Sequence, residues 1–136
     1  MKFRSHNGIY QIEIPSSYQH EENNNTLNIY NSNGLGAISI TGYRIPSNYN
    51  YIIKDELLDF IQSIDGLAVL ENKDLAECEN GYCSYEFLSS TGKYWRIWIY
   101  FANNYSVFIS YNCDHTDKDF ERNNINTIIN SLVLNN

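Results

Sequence analysis

Few residues of this chain have the type and spacing to do chemistry, and the densest group is Cys113-Asp114-His115. With Cys78 or Cys83, a thiol and an imidazole there could hold zinc, but the paired ligand spacings of zinc sites are absent. Cys83 or Cys113 could instead act as a nucleophile with His115 as its base, which requires hydrogen-bond contact and a third group to orient the imidazole. Nothing in the sequence signals that arrangement. His6 and His20 lie far from these residues, and no Gly-x-Ser-x-Gly or phosphate-binding loop occurs. The chain therefore reads as non-enzymatic, without metal or cofactor, with Cys113 at a buried strand end and His115 in a solvated loop. Cys78 and Cys83 flank Asn80-Gly81 and could face each other across a hairpin. A disulfide would suit an exported protein, whereas free, partly buried thiols suit a reducing compartment and are the expectation here.

Two sets of residues have the chemistry of binding. Tyr94, Arg96, Trp98 and Tyr100 alternate along one run, and Tyr, Trp and Arg are the residues that most often carry interface energy. Against this stands the reading that the same face is core beneath a helix, with Arg96 reaching out to a carboxylate. Glu71, Asp74, Glu77 and Glu79, with Glu86 across a hairpin, form the densest acidic stretch. It could meet a basic partner, or serve as a solvated edge that discourages strand pairing between molecules.

The elements that must position these residues follow from hydrophobic periodicity. Lys93 to Phe101 and Tyr105 to Tyr111 are rich in β-branched and aromatic residues, which suit a pleated sheet. They predict a hairpin turning at Ala102-Asn103-Asn104, in the centre of a sheet. Alternation sets Trp95, Ile97, Ile99 and Phe101 on the face opposite Tyr94, Arg96, Trp98 and Tyr100. Neither face is polar, so both are expected to be covered. Upstream, Ile9 to Ile14 reads as an edge or near-edge strand, Ser16 to Thr26 as a polar loop, and Leu27 to Tyr30 and Leu35 to Tyr43 as strands. An amphipathic helix follows from about Tyr51 to Ile64, with Ile53, Leu57, Phe60, Ile61 and Ile64 as its stripe. Asn48 or Asn50 could cap it, and Asp65-Gly66 stops it. Leu67 to Cys78 and Tyr82 to Leu88, joined at Asn80-Gly81, add two strands to the central hairpin. A last helix is predicted from Asp117 to Leu132, capped by Thr116 with Asp119 and buried along Phe120, Ile125, Ile128, Ile129 and Leu132. The order β-β-β-α-β-β-β-β-α predicts one α+β domain of 136 residues: a mostly antiparallel sheet of six to seven strands flanked by two helices. Helices on opposite faces would explain why the central hairpin is apolar on both.

The formal net charge is -7 and the pI about 4.8, which opposes binding to a phosphate backbone and suits a basic protein partner. No stretch approaches the ~18 apolar residues of a membrane span, and the N-terminal region has no apolar run of a secretory signal. The expectation is a soluble, cytoplasmic chain.

Several segments together resemble small bacterial proteins of the Mog1/PsbP-like fold group: Tyr10-Gln11-Ile12-Glu13-Ile14-Pro15-Ser16-Ser17-Tyr18, Glu21-Glu22, Leu27 to Tyr30 and Gly36-Ala37-Ile38-Ser39-Ile40-Thr41. The aromatic strand Tyr94 to Phe101, Phe108 to Cys113 and a helix closing on Ile128 to Leu132 continue the likeness. The resemblance implies an α-β-α sandwich and a non-catalytic role in binding other proteins. Related folds serve as adaptors, as chaperones of secreted effectors and as immunity-type proteins of toxin systems. It supplies no site residues. The expected function is thus a bacterial protein-binding domain, of immunity or adaptor type, with a basic toxin or effector as partner. A small-ligand-binding domain with an aromatic pocket between sheet and helix is the alternative.

Overall fold

The computed structural model describes residues 1–64, 77–79 and 81–135. Ten strands, β1 (Lys2–Arg4), β2 (Tyr10–Glu13), β3 (Gln19–Asn23), β4 (Thr26–Tyr30), β5 (Ala37–Arg44), β6 (Glu77–Glu79), β7 (Tyr82–Leu88), β8 (Lys93–Ala102), β9 (Tyr105–Asp114) and β10 (Val133–Leu134), accompany helices α1 (Ile53–Ile64) and α2 (Arg122–Asn130) among the described residues. The main sheet runs β3-β4-β5-β9-β8-β7-β6 and is antiparallel throughout; β1-β2-β10 is a separate three-stranded sheet.

The central hairpin behaves as its sequence predicts. β8 and β9 pair over their whole length, and Asn103 and Asn104 both take left-handed φ, 55° and 65°, as a turn that matches the strand twist requires. The two faces of β8 belong to two different cores. Ile97 and Ile99, with Trp95 at the margin, pack under α1 against Leu57, Ile61, Cys83, Tyr85 and Phe87. Tyr94 and Trp98 pack on the other side with β2, Tyr18 and the α2 residues Ile125, Ile128 and Ile129. The helices therefore do lie on opposite faces. The α1 stripe read from the sequence is the one buried, although the helix starts at Ile53 rather than Tyr51. Its predicted stop at Asp65-Gly66 and the strand from Leu67 lie outside the described residues, as does Asn80 of the β6–β7 turn.

Three sequence readings are corrected. The supposed loop Ser16 to Thr26 contains β3, which pairs with β4 through a turn at Asn24 and Asn25, with φ of 53° and 67°. All five β3 residues are exposed, so no apolar alternation marks the strand. β2 is the middle strand of the small sheet, not an edge of the large one, because β1 and β10 flank it. Both are too short to show a period. The last helix begins at Arg122, after a short 3-10 turn at His115–Asp117, and Glu121 rather than Thr116 is its N-cap residue. Phe120, expected in the buried stripe, is 66% exposed.

The reason lies in Glu121, which is only 4% exposed. Its carboxylate accepts hydrogen bonds from the Tyr18 hydroxyl at 2.8 Å and the Tyr111 hydroxyl at 2.9 Å, instead of capping its own helix. Two charge-assisted bonds from buried hydroxyls outweigh a local cap, which is typically worth about 1 kcal/mol. Anchoring Glu121 in the core fixes where α2 starts and leaves Phe120 outside.

Candidate functional site

The cysteine and histidine candidates separate in the structure. Cys78 and Cys83 oppose one another in the β6–β7 register, with Cα atoms 4.1 Å apart, and are joined by a disulfide. This corrects the expectation of free thiols: hairpin register places the pair directly opposite, in the closest kind of cross-strand contact. Cys113 is a free, buried thiol whose pKa burial pushes up, which disfavours the thiolate a nucleophile needs. His115 is exposed on the 3-10 turn. Among the described residues no group of three or more His, Cys, Asp or Glu is gathered around one metal position. Thiol titration tests the bridge: one thiol per chain should react under denaturing, non-reducing conditions, and three after reduction. Three reacting before reduction would rule it out. Reduction should cost at most about 2 kcal/mol, since the closed loop is short.

The aromatic run Tyr94, Arg96, Trp98 and Tyr100 is largely taken up by packing. Trp98 is 3% exposed and Tyr94 is buried beside it; Tyr100 is half-buried against Tyr82, ring centroids 4.9 Å apart. The Arg96 guanidinium lies 4.5 Å over the Trp98 ring and donates to Asn126 Oδ1 at 2.8 Å, while its Nε is 3.7 Å from Glu86. Tyr94 donates to the same Glu86 carboxylate at 3.0 Å, and Arg122 bridges Glu86 and Asp119. Glu86 therefore faces two arginines rather than joining the acidic run. Of that run, Glu77 and Glu79 lie on β6, at one edge of the main sheet, with Glu79 exposed. Glu71 and Asp74 lie outside the described residues.

A hollow of about 230 Å³ lies beside Glu86, Tyr94 and His115, and a larger groove lies where α1 stops covering the sheet. α1 packs on β7 and β8. On β4 and β5 the alternation is of the one-sided kind: Leu27, Ile29, Ile38 and Ile40 point into the core with α2, so Thr26, Asn28, Ser39, Thr41 and Tyr43 point to the α1 side. Polar pairs tie this face together, Thr26 to Thr41 at 3.0 Å and Ser39 to Asn28 at 2.8 Å. Between it and α1 runs an open groove of about 460 Å³. Thr41 and Tyr43 of β5 and Phe108 of β9 form its floor; Tyr51, Glu56, Asp59 and Phe60 form the helix side. Register sets Thr41 opposite Phe108, so these two share a face.

The aromatic walls are fixed in place. Phe60 meets Phe108 edge-on with centroids 4.3 Å apart, and Tyr51 stacks on Phe101 at 4.6 Å while its hydroxyl contacts Ser106 Oγ at 2.6 Å. Burial pushes the Tyr51 phenol up to about 12. Burial, reinforced by the Glu56 charge, raises Tyr43 as well. Both rings therefore stay neutral at physiological pH. Glu56 and Asp59 are three apart on α1 and share one helix edge. Glu56 accepts from the Tyr49 hydroxyl at 2.7 Å. No sequence signal locates the groove, because it exists only where helix cover ends over paired strands.

The arrangement is an antiparallel sheet with one helix on each face and an aromatic, acid-edged groove beside α1. No protein-family model matches the sequence, and no curated protein matches it in sequence. Solved structures do match in fold. Cyanobacterial PsbP from Synechocystis superposes with a TM-score of 0.70 at 10% identity, covering 99% of this chain and 92% of that one. The Ran-binding protein Mog1p of Saccharomyces cerevisiae gives 0.62 at 9% identity over 98% and 94%. A protein from Bacteroides thetaiotaomicron gives 0.60 at 17% identity, with 99% of this chain covering 48% of that one. The chain has the Mog1/PsbP-like fold.

Proposed function

We propose that this chain is a non-catalytic protein-binding domain of a bacterium, an immunity-type protein or an effector adaptor or chaperone whose partner is a basic toxin or effector. The observation that supports this reading is the open groove beside α1, lined by aromatic rings from sheet and helix side and by the α1 carboxylates Glu56 and Asp59. Rigid aromatic side chains lose little entropy on binding and dominate interface energetics. The net charge of -7 speeds encounter with a basic partner and repels nucleic acid. Glu77 and Glu79, with Glu71 and Asp74 of the same run, add to that field. Of the β8 face only Arg96 and Tyr100 stay partly exposed, so they contribute at the margin while Tyr94 and Trp98 hold the sheet. The likeness in fold to a Ran-binding protein lends support to a protein partner.

Among the described residues no helix is long and apolar enough to cross a membrane. A cytoplasmic site of action is the reading from sequence, and the thiol titration bears on it directly, since a structural disulfide persists in oxidising compartments. A second reading is a small-ligand site in the same groove, whose volume falls within the ~300–1,000 Å³ usual for ligand pockets.

Affinity capture from the source cells separates these readings. Tagged wild type should retain one basic protein in equimolar amount, and a folded Tyr43→Ala variant should retain it poorly. Absence of any protein partner, with a bound small molecule seen by native mass spectrometry, would favour the second reading.

A further inference from the structure

The α1 groove has a chemistry specific enough to name what enters it. Its floor and sides are aromatic, so an occupant gains from burying methylene groups or from facing ring π-systems. Its only charged lining groups are Glu56 and Asp59, and none of the ion pairs among the described residues involves either of them. An anion is therefore repelled. A divalent metal would find two carboxylates there without a third Asp, Glu, His or Cys among the described residues. What matches rings and carboxylates together is an organic cation on an aliphatic stem: the ring faces attract the charge, the carboxylates pair with it, and the walls cover the stem.

We infer that the groove receives a lysine or arginine side chain from a basic segment of the partner protein. This rests on the protein-binding reading above. A segment fits better than a free small cation because the apolar surface continues beyond the groove. Tyr43, Tyr49 and Ile52 are 40%, 54% and 47% exposed, gathered where the chain leaves β5 and enters α1. Tyr49 and Ile52 stand outside the lining of the groove, so a single side chain would leave them wet. Neighbouring residues of a longer segment would cover them. The Tyr49 hydroxyl on Glu56 orients that carboxylate, and its i,i+3 spacing from Asp59 presents two acceptors to one cation.

The test uses purified full-length protein and three probes: a short glycine-arginine peptide, its glutamate counterpart and spermidine. Amide and aromatic NMR shifts on adding the arginine peptide should concentrate at Thr41, Tyr43, Tyr51, Phe60 and Phe108. Its apparent affinity should exceed that of the glutamate peptide at least tenfold, and that of spermidine severalfold. Glu56→Gln with Asp59→Asn should weaken it at least fivefold without changing the circular dichroism, and raising salt should erode the difference. Shifts spread over the β6 edge, or unchanged binding by the double variant, would overturn the assignment. Spermidine binding as tightly as the peptide would also overturn it, in favour of a small-cation site. If cells yield a protein partner whose capture is indifferent to the double variant, protein binding stands and the groove assignment falls. If the peptide seats in the groove but no protein partner exists, the protein-binding reading falls and takes the partner segment with it, leaving only a cation-binding groove.

Discussion

Trp98→Ala should lower the unfolding free energy by about 3–5 kcal/mol, the cost of emptying a large aromatic site in a packed core. For a domain of this size that corresponds to a fall of roughly 10–17 °C in Tm. The expectation rests on position rather than composition. Trp98 sits in the middle of β8, directly opposite Ile109 and Ser84 on its two neighbours, and belongs to the core shared with α2 and the small sheet. Its ring also carries Arg96, so the truncation removes a cation–π contact and strips the guanidinium of part of its cover. Arg96→Ala should cost much less, about 1–2 kcal/mol, since it removes one good hydrogen bond and a loose ion pair. Thermal melts of the two variants decide the matter. If Trp98→Ala melts within a degree or two of wild type, the ring is not core and the aromatic face must be reconsidered as an interface.

The second large effect is expected at Glu121. Glu121→Ala leaves the hydroxyls of Tyr18 and Tyr111 buried without an acceptor, each at about 1–3 kcal/mol, so a loss of roughly 3 kcal/mol or more follows. Glu121→Gln keeps the volume and one acceptor oxygen but turns an amide NH2, a donor, toward the second hydroxyl, and should fall between. The surroundings are shaped to this group: a Cβ on Gly34 would come within 2.5 Å of the carboxylate oxygen, and one on Gly36 within 2.7 Å of the Tyr111 hydroxyl. Denaturant melts should therefore rank wild type, glutamine and alanine in falling order. Alanine within half a kcal/mol of wild type would show that the tyrosines find other partners.

Trp98 was legible from strand periodicity, whereas the role of Glu121 depends on contacts made through space. Strand periodicity named both faces of β8, and because neither was polar it required cover on each side. α1 was legible for the same reason: five apolar positions at helical spacing define a stripe whatever they pack against. The Mog1/PsbP-like likeness was legible as well, since order and type of elements carry it. β3 escaped because a strand wet on both faces has no period, and β1 and β10 because two or three residues cannot show one.

The start of α2, the disulfide and the groove belong to a different level. Thr116 with Asp119 three residues on is a plausible variant of a capping box, but a local cap competes with contacts made through space, and Glu121 wins by bonding two tyrosines 103 and 10 residues away in sequence. Cys78 and Cys83 pair because hairpin register sets them opposite, and register is a property of two strands together. The groove arises where α1, anchored over β7 and β8 and reaching Phe108 of β9, leaves the polar side of β5 open. Sequence periodicity states which residues need burial; which surfaces remain open is settled only when all of that burial is satisfied at once.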